Sequence, residues 1–503
     1  MSYDKDLGIF LQFREKNLGI FLQFREKDLG IFLQFREKDL RISDYLCIFA
    51  PEFQYITVIY MVFKRKIYDK MLKWKNEQDG KTALLIKGAR RVGKSTIAEE
   101  FAKREYKSYI LIDFANISKE VNSWFNDLSD LDYFFMRLQQ LNHVVLYHRE
   151  SVIIFDEIQL QPLARQAIKY LVRDGRYDYI ETGSLLTLKK NVKDIVIPSE
   201  ETRLTLYPMD YEEFKWAQGD NVTMQLIKDN MTKLRPFGDA VHRKLMRDFR
   251  LYMLVGGMPQ AVDAYLTDKN LSKVDAVKRS ILELYEDDFR KIDPTGRASK
   301  LYSAIPAQLT GNASRYNISG TIGDTRQDII ESVIADMEDS MTVNIAYHAN
   351  DPSVGMNLHR NVSRYKMFMS DTGLFVTQAF KDKDFTENII YQKLLSDKLS
   401  ADMGYVYENV VAQMLKASGN ELFYYTFPNK TSNHLYEIDF LLSQHSKICP
   451  LEVKSSSYKR HVSLDLFSEK YSDRIVRKYL IYTKDLGKEK DVILLPVYLV
   501  PFL

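Results

Sequence analysis

The residues with the plainest chemical purpose are Gly88-Ala89-Arg90-Arg91-Val92-Gly93-Lys94-Ser95. Glycines at this spacing, followed by lysine and a hydroxyl, let main-chain N–H groups curl around phosphate oxygens. In such a loop the lysine reaches the β- and γ-phosphates and the hydroxyl binds Mg²⁺. Gly88, Arg91, Gly93, Lys94, Ser95 and Thr96 are therefore the expected nucleotide contacts, with ATP and Mg²⁺ as cofactors. Asp156 and Glu157 end the apolar run Val152-Ile153-Ile154-Phe155. Asp156 would hold the metal together with Ser95, and Glu157 would polarise the attacking water. Catalysis would rest on Lys94, Glu157 and Arg203. Arg203 is a candidate arginine finger, acting in cis or on a neighbour's ATP, and an ordinary surface arginine is the alternative.

A second constellation comprises Glu408, Asp439, Glu452 and Lys454. Strand alternation would put Glu452 and Lys454 on one face. Asp439 and Glu452 on adjacent strands could share a divalent metal, with Glu408 as an additional ligand and Lys454 orienting a hydrolytic water. The plainer reading is alternating charge on an exposed strand. Lys454-Ser-Ser-Ser-Tyr-Lys-Arg460-His461 adds positive charge that could meet phosphates, or is simply a solvated loop.

Several elements must position these groups. Ala83–Ile86 is a short apolar strand leading into the loop, and Thr96–Ala102 has helical spacing after it. Further strands are expected at Tyr109–Phe114, Val152–Glu157, Tyr177–Ser184 and Arg203–Pro208. Strands alternating with helices give an α/β doubly wound parallel sheet, the P-loop NTPase architecture. Thr182 or Ser184, at the end of the fourth strand, could sense the γ-phosphate, and Ser184 could equally cap a helix.

These motifs resemble the AAA-superfamily ATPases that occur as single-chain proteins in bacteria and archaea. The resemblance rests on the phosphate loop, Phe155-Asp-Glu-Ile-Gln, Thr182-Gly-Ser and Leu206-Tyr-Pro-Met-Asp-Tyr-Glu-Glu-Phe. It continues through Gly256-Gly257-Met258-Pro259-Gln260-Ala261 and Phe368-Met-Ser-Asp-Thr-Gly-Leu-Phe375, and covers nearly everything after residue 61. It implies the branch with a C-terminal domain of unknown function. Residues 405–454 also resemble the restriction-endonuclease-like fold, in which Glu, Asp and Glu-x-Lys follow in this order.

The expected organisation is an ATPase core at 61–219, a helical lid-like segment at 220–300, a winged-helix-like segment at 301–380 and a C-terminal α/β restriction-endonuclease-like domain at 381–503. Helices before the strand pair Met341–Tyr347 and Tyr365–Met369 suggest the winged helix, and the resemblance suggests the same. Its helix Gln327–Glu338 carries Asp328, Glu331, Asp336 and Glu338 and no lysine, which speaks against DNA and for a protein-contact or spacer role. Residues 1–60 form an extension whose first forty residues repeat Leu-Gly-Ile-Phe-Leu-Gln-Phe-Arg-Glu-Lys from Leu7, Leu18 and Leu29, a period of eleven that could support a right-handed helical supercoil. Near-identity at every position looks like a recent duplication, so Met61 is taken as the working start.

The 503 residues are too many for one core. A net charge of +3, with 45% hydrophobic residues, demands neither nucleic acid nor an anionic membrane. Two cysteines, Cys47 and Cys449, exclude a disulfide framework, and the apolar stretch Tyr45–Phe63 is broken by Pro51, Glu52 and Gln54. A cytoplasmic protein without membrane contact is expected. Two functional readings follow. The first is an ATPase coupled to a nuclease-like module acting on DNA, with self-association if Arg203 works on a neighbour. The second is a nucleotide-dependent switch whose C-terminal domain is an inactive docking module.

Overall fold

Buried parallel strands are what the apolar runs predict, and five parallel strands form the first sheet, buried at its centre and partly exposed at its two edges. The computed structural model describes residues 62–184, 199–311, 315–323, 325–381, 404–429, 435–456 and 460–503. The N-terminal repeats and most of Tyr45–Phe63 lie outside these. Strands β1 (Ala83–Lys87), β2 (Ser108–Asp113), β3 (Ser151–Asp156), β4 (Asp178–Gly183) and β5 (Glu201–Thr205) pair in the order β2-β3-β4-β1-β5, all parallel. The helix Lys94–Glu105 packs Ile97, Ala98 and Phe101 on one face with Leu84, Ile86 and Ile154. Helices Leu131–Asn142 and Pro162–Asp174 cover the other face with Phe134, Phe135, Ile168 and Leu171. The doubly wound sheet is thus as expected.

Alternation along β4 separates two roles. Ile180 joins the core on the Lys94–Glu105 side, whereas Tyr179 joins the opposite core. Glu181 follows Tyr179's side and is fully buried, with neither carboxylate oxygen hydrogen-bonded. Burial, reinforced by Glu201 and opposed by Arg165 and Arg203, pushes its pKa up to about 8.

After β5 the chain is helical through Asp239–Val255, Pro259–Asp268, Leu271–Ile292 and Arg297–Thr310. The second sheet has eight strands. Its strands are β6 (Val343–Ala349), β7 (Arg360–Met369), β8 (Phe423–Pro428), β9 (Leu435–Gln444), β10 (Lys447–Lys454), β11 (Lys478–Tyr482), β12 (Gly487–Glu489) and β13 (Val492–Pro496). They are ordered β12-β13-β11-β10-β9-β8-β6-β7. The hairpin read as a wing is therefore corrected. Every residue of β6 is buried, and β6 pairs parallel with β8 through Tyr347↔Phe423 and His348↔Tyr424. An interior strand cannot be an exposed wing, and the segments expected as separate domains on either side of residue 380 share one sheet. Within it the chain runs from helix Gly404–Ala417 through antiparallel β8, β9 and β10, then helix Val462–Lys470, then β11 parallel to β10. No helix among the described residues is long and apolar enough to cross a membrane.

The two sheets are joined at Gly256-Gly257. Gly257 accepts a hydrogen bond from Met209 N (2.7 Å), just beyond β5, and donates to the buried Asp371 carboxylate (2.5 Å), just beyond β7. Asp371 also accepts from Leu374 N (2.8 Å), starting the helix Thr372–Ala379. The Tyr252 hydroxyl donates to Met209 O and accepts from Gln413, and Gln413 accepts from Thr372 N. A Cβ on Gly257 would stand 2.0 Å from Met209 O, with backbone on both sides.

Two consequences are measurable by thermal unfolding. Gly257→Ala must push two backbones apart and should cost about 3 kcal/mol of stability, seen as a large drop in Tm. Glu181 has a folded-state pKa above its ordinary 4.5, so the folded state loses stability as pH rises from there through about 8. Glu181→Gln should remove that loss, raising stability by more than about 1 kcal/mol at alkaline pH and little at pH 4.5. An unchanged pH profile would contradict the buried, unpaired carboxyl.

Candidate nucleotide site

The phosphate loop is held from four directions. Gly93 takes φ +94°, a left-handed conformation suited to glycine, and turns the chain into the helix that begins at Lys94. Lys94 is buried, and its ammonium donates to the carbonyls of Gly88 (3.2 Å) and Ala89 (3.0 Å). Burial lowers its pKa, while Glu157 and Asp156 counteract this. At the ends of β3 and β4 three polar side chains meet. Ser95 donates to Asp156 Oδ1 (2.7 Å), and Thr182 donates to the same oxygen. Thr182 Oγ1 in turn accepts from Glu157 N (3.2 Å). Glu157 adopts φ +54°, and Gln159 donates from its amide to the Glu157 carboxylate.

Lys94, Ser95, Thr96, Arg91, Gly93, Asp156 and Glu157 line one cavity of about 590 Å³. Asp113 and Ala115 at the end of β2 also line it, as do Val62, Phe63 and Arg65 before the first helix and Pro259, Gln260 and Asp263 after the Gly-Gly break. Thr182 acts through Asp156 and Glu157 rather than on the cavity wall. Gly88 contributes a carbonyl to Lys94, and Ser184 follows β4 without lining the cavity. Arg203 sits mid-strand on the edge strand β5, half-exposed and bonded to Glu201 (2.6 Å), and does not line the cavity either.

The sequence reading missed Arg65. It is buried, and its fork donates to Val92 O of the loop (2.9 Å) and Tyr207 O beyond β5 (2.6 Å), while Nε faces Glu213 (3.1 Å). Glu213 belongs to a capping box with Asp210 and also accepts from Lys66 N (2.7 Å). A planar guanidinium can hold three acceptors in fixed directions, whereas an ammonium cannot. Arg90 ties the loop to the helix Leu271–Ile292 through Asp288 (2.9 Å), and Tyr285 donates to Arg90 O (2.9 Å).

Comparison with known proteins fits this geometry. A family described as an AAA domain matches residues 80–215. This segment is an AAA-type P-loop ATPase domain. Two domains of unknown function, DUF8612 and DUF4143, match residues 246–384 and 403–500. No curated protein matches the chain. Among solved structures, the Walker-type ATPase PABY2304 of Pyrococcus abyssi is 14% identical, covers 63% of this chain and 96% of its own, and has TM-score 0.39. C. elegans PCH-2 is 14% identical over 44% and 70%, with TM-score 0.27. The Thermotoga maritima RuvB Holliday junction branch migration motor is 14% identical over 56% and 89%, with TM-score 0.25.

Outside the ATPase domain, the second constellation differs from expectation. Asp439 spends Oδ2 on Val453 N (2.7 Å), and Lys454 pairs with Glu452 (2.8 Å). Lys366 lies in the buried C-terminal half of β7, bonds Glu437 and lies 3.8 Å from Glu408. Burial pushes the Glu408 carboxyl up to about 7 even with Lys366 beside it, and Asp439 and Glu437 add to the rise. Burial alone would lower Lys366, but Glu437, Glu408 and Asp439 outweigh it and raise its pKa. Among the described residues no three His, Cys, Asp or Glu side chains are grouped to hold a metal ion. Glu408 and Asp439 thus lie around the buried Lys366, while Glu452 pairs with Lys454.

Arg65→Lys should keep the charge beside Glu213 but lose the fork. ATP turnover is expected to fall about 10–100-fold through a misplaced loop, with a smaller loss of Tm than in Arg65→Ala. Phosphate release and thermal unfolding on the two variants check this.

Proposed function

We propose that this protein binds ATP with Mg²⁺ at the Gly88–Ser95 loop and hydrolyses it, and that the nucleotide state is relayed to a C-terminal docking module. The observation that carries the reading is the hydrogen-bonded set Ser95–Asp156–Thr182–Glu157 beside the buried Lys94. These residues fit the cofactor: a hydroxyl and a carboxylate 2.7 Å apart are hard oxygen donors suited to Mg²⁺. When bound, Mg²⁺ neutralises charge on the phosphate oxygens. Lys94 balances phosphate charge, Glu157 orients the water, and Thr182 fixes Asp156 and the Glu157 main chain relative to one another. Val62, Phe63 and Pro259 give the cavity an apolar end against which an adenine can pack. Arg203, half-exposed on the edge strand β5, is offered in this reading to a neighbouring copy instead of its own loop.

The relay reading is supported by the backbone joint at Gly257 and by the Arg90–Asp288 pair, which tie the loop's surroundings to the second sheet. The docking reading is favoured over the nuclease reading by Lys366, a buried cation that bonds Glu437 and lies 3.8 Å from Glu408, the carboxylate offered as an additional metal ligand. What favours the nuclease reading is the order of helix, three antiparallel strands, helix and parallel strand, with Asp439, Glu452 and Lys454 on β9 and β10.

Lys94→Ala and Glu157→Gln should each lower ATP turnover at least about 100-fold, with Glu157→Gln retaining nucleotide binding. Absence of Mg²⁺-dependent ATP binding by the wild type would overturn the first part. Supercoiled plasmid incubated with the protein, ATP and Mg²⁺ or Mn²⁺ should stay intact. Cutting that disappears in Asp439→Ala and Lys454→Ala would establish the nuclease reading instead.

A further inference from the structure

The acidic helix Gln327–Asp339 has a cavity of about 220 Å³ beside it, remote in sequence from every phosphate-loop residue. Its walls are Ile330 and Ile334 of the helix, Ile318, and Tyr347, Tyr365 and Val362 of the hairpin. Val362 is 54% exposed at its mouth. Tyr365 is 3% exposed, and its hydroxyl is buried without a hydrogen-bond partner. The rim is polar and organised. Arg360 lies over the Tyr347 ring, 3.4 Å from its centroid, and Tyr347 donates to Glu338 (3.1 Å). Gln327 donates to the exposed Glu331 (3.0 Å). The helix carries Asp328, Glu331, Asp336, Glu338 and Asp339 with no lysine or arginine.

We infer that this cavity docks an extended segment of a partner protein that presents one apolar or aromatic side chain flanked by lysine or arginine. The volume is below the roughly 300–1,000 Å³ of small-molecule and cofactor pockets, and suits a single anchoring side chain. A buried hydroxyl without a partner is costly, and a peptide carbonyl would satisfy it. The hairpin beside the cavity is irregular. Pairing jumps from Tyr347↔Tyr365 to His348↔Asn361, so residues 362–364 bulge away from β6, which leaves the rim open to a side chain rather than to a flat added strand. The five acidic side chains of the helix outnumber Arg326 and Arg360, which face Asp328 and Glu338, so the surface favours a basic segment over phosphates and the partner is a peptide and not a nucleic acid. The inference deepens the docking reading above and does not depend on ATP hydrolysis.

The test is selection of peptides of about twelve residues from a random displayed library on the full-length chain, followed by fluorescence anisotropy with the enriched peptide. Enriched sequences should place lysine or arginine within about two positions of an apolar or aromatic residue. Binding should fall at least about tenfold in Glu331→Lys and in Val362→Asp, both surface changes that leave Tm unchanged, and should weaken with added salt. Tyr365→Phe removes only the hydroxyl and should weaken binding by a few-fold. The Lys94→Ala protein should bind the peptide as well as the wild type, which separates this outcome from a failure of the ATPase reading. No enrichment, enrichment of sequences without basic residues, or binding indifferent to both surface substitutions overturns the inference.

Discussion

The closest constraint in the molecule is a glycine whose backbone serves both halves. Gly257 receives the chain leaving β5 through Met209 and holds the chain leaving β7 through Asp371. A Cβ on Gly257 would collide with the Met209 backbone, so the spacing at this joint is set by one main-chain hydrogen bond to Met209 and one to the buried Asp371 carboxylate. Around that point one continuous hydrophobic core runs from Ile97 and Phe101 behind the phosphate loop to Phe440 and Leu480 in the second sheet. The opposite face of the ATPase sheet has its own smaller core, built on Phe134, Phe155 and Leu171. The ATPase module therefore has one face that belongs to it alone and one that it shares.

The shared face is where the nucleotide site and the rest of the chain meet. Arg65 draws together the loop, the exit of β5 and Glu213, and Arg90 reaches the helix Leu271–Ile292. Groups on three separate segments thus depend on the loop's shape. A mechanical reading follows from rigid pairings of this kind, because tightly packed elements shift between discrete arrangements instead of deforming gradually.

What the sequence disclosed, and what it hid, follows from distance along the chain. The phosphate loop, the Asp156-Glu157 pair and the five strands were legible because each is encoded by neighbours in sequence, through glycine spacing or a short apolar run. Arg65 was not, because its acceptors lie 27 and 142 positions away and its own surroundings, Lys64 and Lys66, read as an ordinary basic lead-in. The hairpin β6–β7 was legible as a hairpin, yet its membership of the larger sheet was not, since parallel pairing with β8 leaves no local signature. Lys366 carried a faint signal, a cation set among the apolar residues Tyr365, Met367, Phe368 and Met369. Its meaning required Glu437, 71 positions later. Asp439 and Glu452 were placed correctly on adjacent strands, but nothing local could say that a lysine from another segment would lie among them.

The position of β6 and β7 at one side of the second sheet has an implication for how this chain is made. As the ribosome releases it, the hairpin emerges well before β8, and neither can complete its hydrogen bonds until helix Gly404–Ala417 has also appeared. A shortened protein starting after residue 403 would begin with a naked β8 flank, a ready template for strand-to-strand aggregation. The boundary between the matched segments 246–384 and 403–500 therefore falls inside one sheet, between strands that pair with each other.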